Sequence, residues 1–447
     1  MDFLDQSVLP QSSQHLVLIR YLLVLSYLIF IPYVSLLFGS LSFSLFFKYR
    51  WEKKGSADDK KFSKSVIDLI TSGRGAAIAL GIVPLLSSSL GYAQLLHKSG
   101  LVVPGFLFLS SILLLISLLL IYTYKYTFHL KDIFSYAGKE RKKETGIEDD
   151  IENYSVKAGL LHKKSGFYGM VFLVTSLYLY FGALELASDS SRWTDWNGLV
   201  GILFSLPALI SFIQFIAGSF MITAAFLLYK HYRPNSEAAP QPEIYSALIR
   251  SISLNTGLIS SVIFALLFTA GILIHPVNSL SFEFFIASTS ALILILFTSI
   301  LYYSMLKESV VKYSSVLIYV ILFIFALSVV KDQFAFSTAS KYQTAVLDAE
   351  YQAHIKALEE ASGTAAPING ADIYNGRCIA CHNFDKKIVG PPYNQTMPKY
   401  EGKKDLLVKF ILNPVKVNPD YPAMPNQGLK PKEAEAVADF LLSTYKK

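Results

Sequence analysis

Cys378-Ile379-Ala380-Cys381-His382, near the end of a 447-residue chain, is the stretch from which the rest can be read. Two thiols three positions apart, followed at once by an imidazole, form the attachment pattern of a c-type haem. The thiols bond the porphyrin vinyl groups and the histidine supplies a nitrogen to iron. The chain contains 2 cysteines in all. A structural zinc site draws four ligands, usually through a second Cys/His pair at similar spacing, and no such pair exists here. A thioredoxin-like dithiol needs a strand-helix context and no histidine. Thioether attachment takes place outside the cytoplasm, so the motif also predicts that the C-terminal segment is exported.

Working outward, the composition is that of a membrane protein. It is 53% hydrophobic and 16% charged, with mean hydropathy +0.42, 32 Phe and 27 Tyr. Those values exclude an ordinary soluble enzyme and fit lipid-facing helices with aromatic belts. Crossing a hydrocarbon core of ~30 Å takes about 20 apolar residues. Eight runs qualify, at 20–47, 75–96, 101–124, 166–187, 197–229, 253–274, 281–305 and 312–331. The first and fifth exceed the minimum and are expected to tilt or to begin as interfacial helix. A net charge of +7 does not imply nucleic acid, because Lys and Arg gather in short loops between the apolar runs.

That clustering predicts orientation. Segments 48–74, 125–164, 230–250 and 306–312 carry 22 Lys/Arg, against Arg20, Lys98 and Arg192 on the opposite side. The basic loops are expected in the cytoplasm, which puts the N-terminus outside. Eight crossings then return the chain to the outside, where the haem motif requires it. The first residues lack a basic n-region, so the first helix is expected to stay in the membrane.

Taken in order, residues 1–19 read as a short outer segment, and Ser65–Ile70 as part of an amphipathic surface helix. Segment 125–164 reads as the largest cytoplasmic element, with Lys139–Glu144 as a solvated charged helix. Segment 231–250 holds three prolines and reads as an irregular connector. The expected domains are 1–331 (transmembrane helices), 332–367 (helical spacer and linker) and 368–447. In the spacer, Ala345, Val346, Ala349, Ile355 and Leu358 recur at helical spacing, and Ser362–Pro367 reads as a hinge.

Segment 368–447 resembles a class I c-type cytochrome. Gly370–Arg377 leads as a helix into Cys378, Gly390-Pro391 follows the histidine, Ala423-Met424-Pro425 precedes the last helix, and Lys432–Tyr445 has the spacing for that helix. The resemblance implies covalent haem c on Cys378 and Cys381, axial ligation by His382 and Met424, and a Pro391 carbonyl that orients His382. A His/Met pair raises the potential and suits electron transfer rather than oxygen binding. Met397-Pro398 is a second Met-Pro and a rival ligand. Packing at the porphyrin edge is the other use of either methionine. Lys386, Lys387, Lys399, Lys403, Lys404, Lys409, Lys416, Lys430 and Lys432 give this segment a basic surface, which would steer acidic partners or simply keep it soluble.

In the membrane part, Ser26-Tyr27-Leu28-Ile29-Phe30-Ile31-Pro32 is similar to the first helix of subunit I of cytochrome bd quinol oxidases. Tyr27 stands where that family has a haem-ligating histidine, and its other haem and quinol signatures are not visible. A haem b would need intramembrane histidines, but His15, His97 and His275 fall at outer helix ends and His129, His162 and His231 at inner ones. An outer pair could hold a haem or line a quinol pocket; interfacial solvation is the plainer reading. Arg20, Arg74, Glu185, Gln214 and Glu283 are the intramembrane polar groups. Glu185 and Arg20, near the outer boundary, are the better functional candidates.

The expectation is an all-α protein, a polytopic helical bundle (N-out, C-out) followed by an exported cytochrome domain. It would sit in a bacterial inner membrane, surrounded by lipid, with the cytochrome on the periplasmic side. It would relay electrons between other subunits of a quinol-linked respiratory complex and a soluble or membrane-bound carrier, as a subunit rather than a free-standing enzyme. The alternatives are a catalytic quinol-oxidising subunit, with quinol and haem b in the membrane, and a transporter or sensor with an appended haem domain.

Overall fold

The structure is a computed structural model that describes residues 10–71, 73–97, 99–137, 147–193, 201, 204–232, 242–308, 311–361 and 368–445. Among the described residues there is no strand. The chain divides into two compact units, Met1–Ala349 and Glu350–Lys447.

Among the described residues of the first unit, eight helices are long and apolar enough to cross a membrane. They are α1 (Ser13–Lys54), α3 (Arg74–Leu95), α4 (Val103–Ala137), α5 (Ile147–Ser188), α6 (Leu206–Tyr232), α7 (Glu243–Leu273), α8 (Phe282–Glu308) and α9 (Ser314–Ala339). The short α2 (Ala57–Ile70) sits between α1 and α3, and α10 (Lys341–Ala361) follows α9. Each of the eight expected apolar runs overlaps one of the eight long helices. Their outward faces are apolar: Leu119, Ile300 and Leu266 are 63%, 62% and 68% exposed, a surface that water would penalise and lipid would not.

Small residues set how closely the helices approach, as expected where lipid removes the hydrophobic drive between them. Ser110 Oγ donates to the Ser176 carbonyl (2.8 Å) and Ser176 Oγ returns a bond to the Ser110 carbonyl (2.7 Å), joining α4 to α5. A Cβ on Gly39 would lie 2.1 Å from Thr223 Oγ1, so α1 meets α6 only because that position is glycine. Gly257 leaves room for Tyr302, whose hydroxyl crosses from α8 to the Met221 carbonyl on α6 (2.8 Å). In α3 a π turn over Ile78–Ile82 precedes Pro84, a common way for a helix to take up a proline.

Several boundaries differ from the sequence reading. Ser12 caps α1 by accepting the His15 amide at 3.2 Å, so residues 13–19 are its first turns rather than a separate outer segment. Segment 125–164 is not a loop: α4 and α5 run on past their apolar limits, with Lys139–Glu144 outside the described residues. Their polar shoulders are held by long-range pairs. Lys60 and Lys64 of α2 reach Asp132 at 2.6 and 3.2 Å, and His129 meets Asp68 at 3.1 Å. His162 is no interfacial residue either. It is 3% exposed, stacks on Tyr124 at 4.3 Å, and places Nδ1 2.9 Å from the Tyr124 carbonyl. α7 starts at Glu243, ahead of its apolar run, because Tyr245 and Ile249 bury against Phe43, Phe62 and Val66. In α6 the helix begins at Leu206; residues 197–200 and 202–203 of that run lie outside the described residues, as do 362–367. α10 buries Gln343 and Leu347, whereas Ala345 and Ala349 of the expected stripe are exposed.

Candidate functional site

The second unit is built around one short crossing. Residues 370–378 run as α11 (Gly370–Ile373), then a π turn (Tyr374–Cys378); α12 (Tyr393–Thr396), α13 (Lys404–Leu412) and α14 (Pro431–Thr444) follow. Asn369 caps α11 by accepting the Ala371 amide at 3.0 Å, and Glu433 accepts the Lys430 amide at the start of α14 at 2.8 Å. The two helices cross at Gly370, where a Cβ would fall 2.0 Å from the Ala436 carbonyl oxygen. The core beneath the crossing contains Tyr374, Leu407, Val437 and Leu441.

The π turn delivers the motif. The Ile379 amide bonds back to Tyr374 at 3.0 Å, and the His382 amide to the Cys378 carbonyl at 2.9 Å, so both cysteines and the histidine occupy one tight turn. Cys378 is buried, Cys381 half-buried, and neither forms a disulfide. Burial pushes the Cys378 thiol above its ordinary pKa. Two adjoining clefts open beside the turn. The smaller, about 70 Å³, is lined by Cys378, Cys381 and Pro425; the larger, about 190 Å³, is lined by Met397, Phe410 and Tyr421. His382, Pro391, Pro422 and Met424 line both.

Three neighbours fix the imidazole. Nδ1 of His382 is 3.2 Å from the Pro391 carbonyl, so Nδ1 carries the proton and Nε2 keeps its lone pair. Tyr393 stacks on the ring at 4.9 Å and 11°. Gly390 presses from another side: a Cβ there would lie 2.2 Å from the ring Cε1. Burial holds the His382 pKa below its ordinary value, opposed in part by the Pro391 carbonyl. A neutral, aimed imidazole beside two unpaired thiols and a thioether is the donor set a covalent haem needs.

The two methionines are placed differently. Met424 is half-buried and borders both clefts, whereas Met397, 3% exposed, borders one and belongs to the core. Among the lysines, Lys399 and Lys416 line the larger cleft, Lys387 lies 4.6 Å over the Tyr421 ring, and Lys404 pairs with Asp439 at 2.6 Å. Sequence reasoning missed Arg377, which ties the motif to the Gln427 carbonyl at 2.7 Å, and Tyr393, whose only signal was its place just after Gly390-Pro391.

In the first unit, Glu185, Gln214 and His275 border one cavity within the bundle. The other polar candidates lie elsewhere. Arg20 donates to Ser337, Ser340 and Thr344. Arg74 is exposed and stacks on Tyr126 at 5.1 Å, and Glu283 is exposed on the first turn of α8. His15 sits on the capped first turn of α1, the His97 carbonyl accepts from Gln343, and His231 lies on the last turn of α6.

A cytochrome c family profile matches residues 368–445. Cytochrome c-551 of Pseudomonas denitrificans is 32% identical over 79 residues, 17% of this chain and 95% of that protein. Cytochrome c-552 of Hydrogenobacter thermophilus is 37% identical over 71 residues (15% of this chain, 70% of the relative), and cytochrome c-552 of Nitrosomonas europaea is 32% identical over 71 residues (15% and 68%).

Proposed function

Because the chain belongs to the cytochrome c family through residues 368–445, we propose that it is a membrane-anchored monohaem cytochrome. It relays single electrons between a quinol-linked redox complex of a bacterial inner membrane and a carrier on the periplasmic side. The observation that carries this reading is that Cys378, Cys381, His382 and Met424 all border one cleft. A haem there supplies a one-electron ferric/ferrous couple. The chain's residues do the rest. Cys378 and Cys381 would tether the porphyrin, and His382 Nε2 and Met424 Sδ would hold its iron. The Pro391 carbonyl and the Tyr393 ring hold the imidazole in one orientation. A neutral thioether favours ferrous iron and raises the potential.

The eight apolar helices anchor the cytochrome, and the charge bias supports a topology with both ends outside. The exposed Lys386, Lys387, Lys399 and Lys416 would draw an acidic partner toward the cleft. The test is direct. Purified full-length protein should give a pyridine haemochrome spectrum of one covalent haem c per chain, lost in a Cys378→Ser/Cys381→Ser variant. Protease added to intact spheroplasts should release the segment that carries the haem. A chain without covalent porphyrin, or a segment protected from the outside, defeats the proposal.

A further inference from the structure

Within the first unit, α1, α3, α5, α6, α7 and α9 surround a cavity of about 100 Å³, at the level of the C-terminal turns of α3, α5 and α9. Its wall along α1 runs from Tyr27 to Ser35, which is about 12 Å at the rise of a helix. Much of the lining is aromatic, with Phe181, Phe215, Phe264, Phe268 and Phe325 among it.

The polar atoms on this wall are unusual. Tyr27, Tyr180, Ser35, Gln333 and His275 all line the cavity, and Tyr27 Oη, Tyr180 Oη, Ser35 Oγ, Gln333 Oε1 and His275 Nε2 are buried with no hydrogen bond of full geometry in the protein. The Tyr27 hydroxyl comes near Tyr92, Ser88 and Tyr180, and Gln333 near Tyr92, without reaching bonding geometry. Tyr27, Tyr180, Ser35 and Gln333 are 3%, 0%, 1% and 8% exposed. A buried polar atom left unpaired costs about 1–3 kcal/mol, and five around one cavity point to a ligand that satisfies them. The charged groups nearby are already paired: Glu185 accepts from Ser211, and Lys331 pairs with Asp332. The vacant chemistry is therefore neutral, with hydroxyls that can donate and an amide oxygen that accepts, set among aromatic faces. Water alone would satisfy the polar atoms but leave the phenylalanine wall poorly matched.

We propose that this cavity binds the ring of a lipophilic quinone or its quinol. A flat ring with oxygen atoms at both edges matches the aromatic faces. Its carbonyls would accept from Tyr27 and Tyr180, and in the reduced form its hydroxyls would donate to Gln333 Oε1. This deepens the quinol-linked reading above by giving the quinol a place, yet binding does not require the haem, so the two can fail separately.

The test titrates decyl-ubiquinone into purified full-length protein in detergent, following binding by calorimetry and by thermal stabilisation. One equivalent should bind. Tyr180→Phe, which keeps the ring, and Gln333→Leu should each weaken binding about tenfold, the equivalent of one lost hydrogen bond at 1.4 kcal/mol. Ser328→Phe, which fills the cavity, should abolish it. The haem-free Cys378→Ser/Cys381→Ser chain should bind as tightly as the parent. The proposal is overturned if a cooperatively melting parent takes up no quinone, or if Tyr180→Phe and Gln333→Leu both bind unchanged. It is also overturned if decylbenzene, which has no oxygen, competes equally, or if the haem-free chain does not bind.

Discussion

Gly390→Ala is the sharpest perturbation of the haem cleft. The Gly390 amide donates to the Cys381 carbonyl at 2.8 Å, which fixes the backbone directly against the histidine ring. An added Cβ would lie 2.2 Å from Cε1, 2.6 Å from Nδ1 and 2.8 Å from Nε2 of His382. The ring has little room to retreat, because it stacks on Tyr393, itself 6% exposed. Turning it breaks the Nδ1 bond to Pro391 and leaves a buried donor unpaired, about 1–3 kcal/mol. Overpacking adds about 1–3 kcal/mol. The sum, about 2–6 kcal/mol, corresponds in a domain of this size to a fall in melting temperature on the order of 10–40 °C. The melt is followed at the haem Soret band of the full-length protein, with the axial-ligand spectrum recorded before heating. Gly376→Ala is the control: a Cβ there meets nothing within 4 Å, and the change should be neutral or stabilising by up to ~1 kcal/mol. A Gly390→Ala protein that melts within a few degrees of the parent, with its axial spectrum intact, would refute the claim that Gly390 seats the ligand.

Other substitutions separate the remaining roles. Met424→Ala should abolish the weak thioether-to-iron band and lower the reduction potential. Met397→Ala should keep both while costing about 2–5 kcal/mol as a buried truncation; the reverse pattern would exchange the ligands. Arg50→Ala removes the guanidinium whose Nε lies 2.6 Å from Asp59, a residue 1% exposed, and should destabilise the bundle in a detergent melt by about 3–5 kcal/mol. Lys404→Ala should cost no more than about 1 kcal/mol in the same assay, because Asp439 is 62% exposed and solvent screens the pair.

How much of this could be read in advance depends on whether the chemistry is local in the chain. A covalent haem needs its thiols and imidazole within one turn, so Cys378, Cys381 and His382 announce themselves. The eight membrane-length apolar helices are equally local, because lipid solvation acts on each stretch of about 20 residues independently. Helix ends are not local. α4 and α5 pass well beyond their apolar cores because Asp132 and Asp68 meet Lys60, Lys64 and His129 from distant segments. His162 looked interfacial for the same reason: the Tyr124 carbonyl that satisfies it lies on another helix.

The bundle cavity shows the same principle at the level of function. By sequence alone the eye goes to charge, and Glu185 and Arg20 were the candidates. In the fold both are supplied with partners, Ser211 for one and Ser337, Ser340 and Thr344 for the other. The atoms left wanting belong to neutral residues on α1, α5 and α9 and to His275 just beyond α7, positions from 27 to 333 that no spacing rule connects. Intramembrane charge is conspicuous because it is expensive, and for that reason a fold tends to pair it internally. A buried phenol or amide is cheaper to leave open, so the polar atoms available to a ligand are found among residues that resemble ordinary helix packing.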